Sequence, residues 1–169
     1  MAEKRNETGV NGWRLGAIVL MLGGLMAVTG PALAADDDNA VSEAQEAKNK
    51  ELVLNFYNMI FNEHKVEEAF EKYTDPRYIQ HNPMAPSGAN AAIKFLKPFL
   101  EKNPGYSSDV KRALADGDLV MLHSHVTMGP DDRGSAVVDI FRVEDGKVVE
   151  HWDVIQSVPE KIVGEEPMF

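Results

Sequence analysis

Apolar positions along this chain repeat with two different periods, and the change from one to the other falls near Tyr106. Val53, Phe56, Tyr57 and Ile60 recur at the spacing of one helix face, which predicts a helix from near Ser42 to about Phe61, with Glu43 and Glu46 close to its N-terminal end. Val66, Ala69, Phe70 and Tyr73 predict a short second helix that Asp75-Pro76 closes. A third helix is expected from about Ser87, carrying Ile93, Phe95, Leu96, Phe99 and Leu100, with Pro98 kinking or restarting it. After Tyr106 the period becomes two. Strands are expected near 107–115, 118–128, 135–143 and 147–157, joined by short turns rich in Gly and Asp. Helices followed by a run of strands make an α+β pattern: a curved antiparallel sheet wrapped round the N-terminal helices, with a cavity between them.

The last two strands form a hairpin about Glu144-Asp145-Gly146-Lys147. Two turns fit. A two-residue Asp-Gly loop pairs Glu144 with Lys147 and sets Asp139 beside Trp152; a three-residue turn with Gly146 as a bulge sets Asp139 opposite His151. One residue of register decides whether Asp139, His151 and Asp153 share a face. The bulged turn is the expectation. It gathers Asp139, Phe141, Val149, His151, Asp153 and Ile155 on one face and leaves Val138, Ile140, Arg142, Val148, Glu150, Trp152 and Val154 on the other.

Composition narrows the picture. Of 169 residues, the first 34 read as an export signal: Lys4, Arg5 and Arg14, an apolar run from Leu15 to Val28, then Pro31 and the small-x-small pattern Ala32-Leu33-Ala34. Cleavage near Ala34 makes the protein secreted or periplasmic, with no stable membrane insertion after processing. Residues 35–47 are a charged leader and helix start, 48–160 the single domain and 161–169 a C-terminal tail. Removing three basic and two acidic residues takes the net charge from −10 to −11, a poor match to nucleic acid. There is no cysteine, so thiol chemistry and disulfides are excluded.

Acids and imidazoles among apolar strands are costly unless paired, wet or used. His123 and His125 alternate on one strand, His81 follows Tyr78-Ile79-Gln80, and His151 precedes Asp153 by two. A carboxylate in an apolar cavity holds protons more tightly and suits proton abstraction beside a carbonyl, with imidazole or amide donors meeting the enolate. Asp153, Asp139 and His151 are the catalytic candidates. His81, Asn82, His123, His125, Tyr57, Tyr78 and Phe141 are the substrate-binding candidates. No cofactor and no resident metal are expected; a His-x-His metal site and a non-catalytic binding module are the rival readings. His64 is expected to be a solvated surface residue.

Tyr78-Ile79-Gln80-His81-Asn82-Pro83, Gly117-Asp118-Leu119-Val120 ahead of the His-x-His strand, and Asp139-Ile140-Phe141-Arg142 through to His151-Trp152-Asp153 together resemble the SnoaL-like polyketide cyclases. That family lies within the nuclear-transport-factor-2-like superfamily, which also holds ketosteroid isomerases. The resemblance covers about residues 48–160. It implies a cone-shaped α+β barrel (nuclear-transport-factor-2-like, cystatin-like), a deep apolar pocket for a small apolar carbonyl or aromatic ligand, and a homodimer. It also implies an acid on the last strand as general acid/base for an aldol-type closure, a position that Asp153 occupies. Where the cyclases carry a histidine on the preceding strand, this chain has Asp139.

Overall fold

The computed structural model describes residues 34–169, with side chains from Ser42 onward. The expected export signal therefore lies outside the described residues. Helix α1 spans Ala34–Phe61, α2 Val66–Tyr73 and α3 Ala89–Lys102; the strands are β1 Thr74–Gln80, β2 Ser107–Asp116, β3 Leu119–Thr127, β4 Ser135–Glu144 and β5 Lys147–Ser157. They form one curved, unclosed sheet in the order β1-β5-β4-β3-β2.

Three features differ from the sequence reading. Helix α1 begins at Ala34 rather than Ser42, because extending a formed helix is far easier than nucleating one. Helix α3 starts at Ala89 and runs unbroken through Pro98. The segment after α2 is an edge strand, β1, paired in parallel with β5, so the sheet is mixed rather than wholly antiparallel. Pro76 is tolerated there because an edge strand has one row of donors to spare.

The core lies between the helices and the concave face. Phe56 of α1 meets Phe70 of α2 edge-on at 5.2 Å and Phe141 of β4 at 6.0 Å, the geometry aromatic quadrupoles favour. Val53, Ile60, Val120, Leu122 and Val148 fill the space around them. The C-terminal end of α1 is pinned to β2 by Asn62, whose Oδ1 accepts the Ser108 N–H at 2.9 Å while its Nδ2 donates to the Ser108 carbonyl at 3.0 Å. His64, expected in solvent, instead takes the left-handed conformation (φ 56°) and bonds the Tyr106 carbonyl at 3.0 Å.

The hairpin turn is the two-residue form. Glu144 pairs with Lys147, and both Asp145 (φ 51°) and Gly146 (φ 71°) are left-handed, as Asp-Gly favours. The extra residue lies one step further on. Val143 faces Val148 but Arg142 faces Glu150, so Val149 is a bulge within β5. That bulge restores the shared face expected of the other turn. The partners shift, however: Asp139 stands opposite Asp153, and Phe141 opposite His151. Val148, expected on the outer face, packs in the core instead.

Candidate functional site

Alternation along β3, β4 and β5 decides which side chains reach the concave face. Val137, Asp139 and Phe141 on β4 and His151, Asp153 and Ile155 on β5 point inward, and all of them line a cavity of about 310 Å³. Its other walls come from the helices and the loop before β2, and they include Phe56, Tyr57, Phe61, Phe95, Phe99 and Tyr106. Polar groups collect at one end: Tyr78, Gln80, Asn82, Asp139, His151 and Asp153.

Asp139 and Asp153 face each other directly, a juxtaposition of like charges that destabilises a sheet unless other groups answer it. Each acid has its own answer. Asp139, only 4% exposed, has Oδ1 at 2.9 Å from His151 Nε2. Asp153 Oδ2 accepts a 2.5 Å hydrogen bond from Asn82 Nδ2. The Asn82 amide is oriented by its own Oδ1, which accepts the Met84 N–H at 2.7 Å. His151 stacks on Phe141 with ring centroids 4.6 Å apart, and its Nδ1 lies 2.8 Å from Gln80 Oε1.

Burial pushes the Tyr57 hydroxyl well above its usual range, and the nearby Asp139 charge adds to that. Tyr78 is raised by burial first and then by Asp139 and Asp153; Tyr106 is raised by burial and Asp139. All three phenols therefore stay protonated at neutral pH. Tyr57 shares a 2.9 Å hydrogen bond with Ser108 Oγ, whereas Tyr78 accepts one from Gln80 Nε2 at 3.2 Å and keeps its own proton to donate.

The expected site thus assembles in part. Asp139, His151, Asp153, Asn82, Tyr57, Tyr78 and Phe141 meet at the cavity. His81, His123 and His125 do not, and their assignment as substrate ligands is corrected. His81 follows inward-facing Gln80, so it turns outward, stacks on Trp152 at 4.8 Å and bonds Glu150 Oε1 at 2.8 Å. His123 and His125 alternate with buried Leu122 and Ser124 and lie on the convex face. There the Phe169 ring covers them, 5.7 Å and 4.4 Å from their centroids. The same alternation sets the His-x-His imidazoles across the sheet from His151, so they share no metal with it.

Among the described residues, the group with metal-ligating spacing is Asp139, His151 and Asp153, whose donor atoms lie within 4.8 Å of one another. Gln80 is the residue that sequence reasoning missed. Period two over residues 78–82 carries the signal: it sets Gln80 between Tyr78 and Asn82 and turns His81 away.

Residues 53–151, more than half of the chain, match the family model described as SnoaL-like domain. Among solved structures, AclR of Streptomyces galilaeus, provisionally named a hydroxylase, is 27% identical, with 66% of this chain and 90% of that chain covered at a TM-score of 0.54. A protein of Jannaschia sp. CCS1, provisionally named a SnoaL-like polyketide cyclase, is 24% identical over 65% and 86% of the two chains, TM-score 0.53. A protein of Kribbella flavida, provisionally named a ketosteroid isomerase, is 20% identical over 73% and 89%, TM-score 0.57. The last two likenesses concern the fold. Among curated proteins there is no match.

Proposed function

Since the chain belongs to the SnoaL-like family, whose model spans the end of α1, all of α2 and α3 and most of the sheet, we propose that it is an acid/base enzyme acting on a small apolar carbonyl compound. One observation carries the reading: two carboxylates and an imidazole share one end of an otherwise aromatic cavity. In the proposed step Asp153 takes the proton from the carbon next to the carbonyl. The C–H electron pair becomes the carbon–carbon double bond as the carbonyl π pair moves onto oxygen, and the Tyr78 hydroxyl, held protonated by burial, donates to the enolate that forms. Asp153 then returns its proton to a different carbon of the conjugated enolate, an isomerisation, or the enolate carbon adds to a second carbonyl of the same molecule, whose oxygen takes that proton, an aldol closure. Asp139 and His151 adjust the charge beside Asp153 as it gains and loses its proton.

Replacing Asp153 with Asn tests this through deuterium exchange at the α-carbon of a panel of cyclic ketones and 1,3-dicarbonyl compounds. The expected result is a loss of about 10²–10⁴-fold, the range of general acid/base catalysis. Exchange at the wild-type rate ends the assignment.

A second reading, ligand storage without turnover, is favoured by the apolar majority of the cavity wall. It predicts retention of binding in the same Asn variant and no exchange in either protein. Export through the N-terminal segment and a homodimer on the convex face complete the proposal. Trp152, Ile140, Val138 and Val154 lie on that face and supply its apolar surface. Intact mass of the exported chain and light scattering in solution test those two parts.

A further inference from the structure

Outward of its acids the cavity opens through an apolar rim. Four of its lining residues, Met84, Phe95, Met128 and Ile155, are also exposed to solvent, between 41% and 79%. A side chain that lines a cavity and still meets solvent stands at the mouth. The four come from separate parts of the fold: the loop after β1, helix α3, the turn after β3 and the outer end of β5.

Contacts around the mouth join them into one collar. Met84 donates its backbone N–H to Asn82, Asn82 donates to Asp153, and Ile155 is the next inward residue of β5. Ile155 pairs with Val137, and the inward residue before Val137 is Ser135, which pairs with Val126, two positions short of Met128. The Met128 carbonyl packs on Gly105, where a side chain would collide with it. The neighbouring Tyr106 ring meets Phe99 edge-on at 5.6 Å, and Phe95 lies one helical turn before Phe99.

Apolar side chains scattered over a surface mean little, but a contiguous set marks a place where something apolar is bound. Two of the four are methionines, whose unbranched side chains adapt to a partner of variable shape. The strand rise puts Ile155 about 7 Å from Asp153, so a molecule whose carbonyl is held beside Asp153 reaches the collar within a few carbons. The collar is continuous with the cavity, which makes the occupant of one the occupant of the other. An anionic headgroup is disfavoured by the two acids beneath, and the net charge of −10 opposes docking on an anionic membrane.

We infer that the ligand is a neutral carbonyl compound with an apolar tail, its carbonyl at the polar end and its tail leaving between Met84, Phe95, Met128 and Ile155. The inference rests on the reading of the cavity proposed above, and it gives that substrate a shape: a carbonyl-headed amphiphile that extends through the mouth.

Three probes test it: 2-pentanone, 2-undecanone and decanoate, titrated into the full-length protein at neutral pH and followed by chemical-shift changes. The ketones differ only in tail length, and 2-undecanone and decanoate share one tail. 2-Undecanone is expected to bind at least about a hundredfold more tightly than 2-pentanone, since each added methylene that leaves water brings up to about fourfold, and decanoate is expected to bind more weakly than 2-undecanone. In Met84→Ser and in Ile155→Ser, 2-undecanone should lose about fivefold or more and 2-pentanone less than about twofold. Equal losses for the two ketones, or no loss for either, overturn the inference. So does tighter binding of decanoate, or a wild type that binds neither ketone. Sedimentation of the ligand-free protein with phosphatidylcholine vesicles that Met84→Ser abolishes gives the collar to a membrane instead. A dimer that Met84→Ser dissociates, read by light scattering, gives it to a second copy, and either result overturns the inference. Deuterium exchange keeps the two proposals apart. Tail-dependent binding without exchange retains this inference and removes the enzyme reading, and exchange without tail dependence does the reverse.

Discussion

His151 and His123 stand on the same sheet, two strands apart, and their neighbourhoods are nearly opposite. His151 looks into the concave face, where both ring nitrogens are engaged and the ring rests on Phe141. His123 looks out of the convex face, with Nδ1 at 3.1 Å from an Arg112 guanidinium nitrogen and the Phe169 ring above it. The residue type is identical, and pleat parity alone places one on the cavity wall and the other on the outer surface. Histidines counted along a sequence therefore mean little until each has been given a face.

That contrast can be broken or sharpened by experiment. The largest effect is expected beneath the concave face. Phe56, fully buried between Phe70 and Phe141, should cost about 3–5 kcal/mol when replaced with Ala, read from urea unfolding. Next comes a matched pair of histidines. His151→Ala leaves Asp139 and Gln80 without their partner and should cost about 1–3 kcal/mol, whereas His123→Ala should cost less than about 1 kcal/mol. Equal losses would deny the two faces their different roles.

Smaller effects separate the faces by pH. Burial raises the Tyr106 phenol, so the folded state holds that proton more tightly than the unfolded chain does. Its stabilisation is present in full below about pH 10 and declines as pH rises further. Tyr106→Phe should therefore move the midpoint of alkaline unfolding upward. On the convex side Glu150 is lowered by its hydrogen bond to His81 and then by Arg142. Its contribution is present above the ordinary glutamate range and fades as pH falls through the depressed value. Glu150→Gln should flatten the acid limb of the stability curve, by the least of these amounts because the group is near solvent.

Much of this arrangement was legible in the residues. The alternation of Val, Ile and Phe marks β2 to β5 to within two residues, because those strands have one buried face and short turns. Strand β1 was not legible. Its Thr-Asp-Pro-Arg start reads as a helix stop, only Thr74 and Tyr78 are buried, and its partner lies far along the chain. Losing β1 also hid Gln80 and sent His81 to the wrong side. The bulge at Val149 left no local mark either, since two consecutive valines suit a plain strand equally well. The shared face of Asp139, His151 and Asp153 was correctly expected, but the device producing it lies in β5 and not in the turn.

The parallel pairing of β1 with β5 also bears on when the site comes into being. Gln80 and His151 are 71 residues apart, and so are Asn82 and Asp153. Contacts that distant carry a heavy loop-closure entropy and form late in folding. A nascent chain can wrap its helices and pair β2 with β3, and β3 with β4, while Asp139 still waits for its imidazole. Only the final strand brings in that imidazole, the second acid and the docking edge for Gln80. Chains halted short of β5 would keep a greasy hollow with no means of orienting anything inside it.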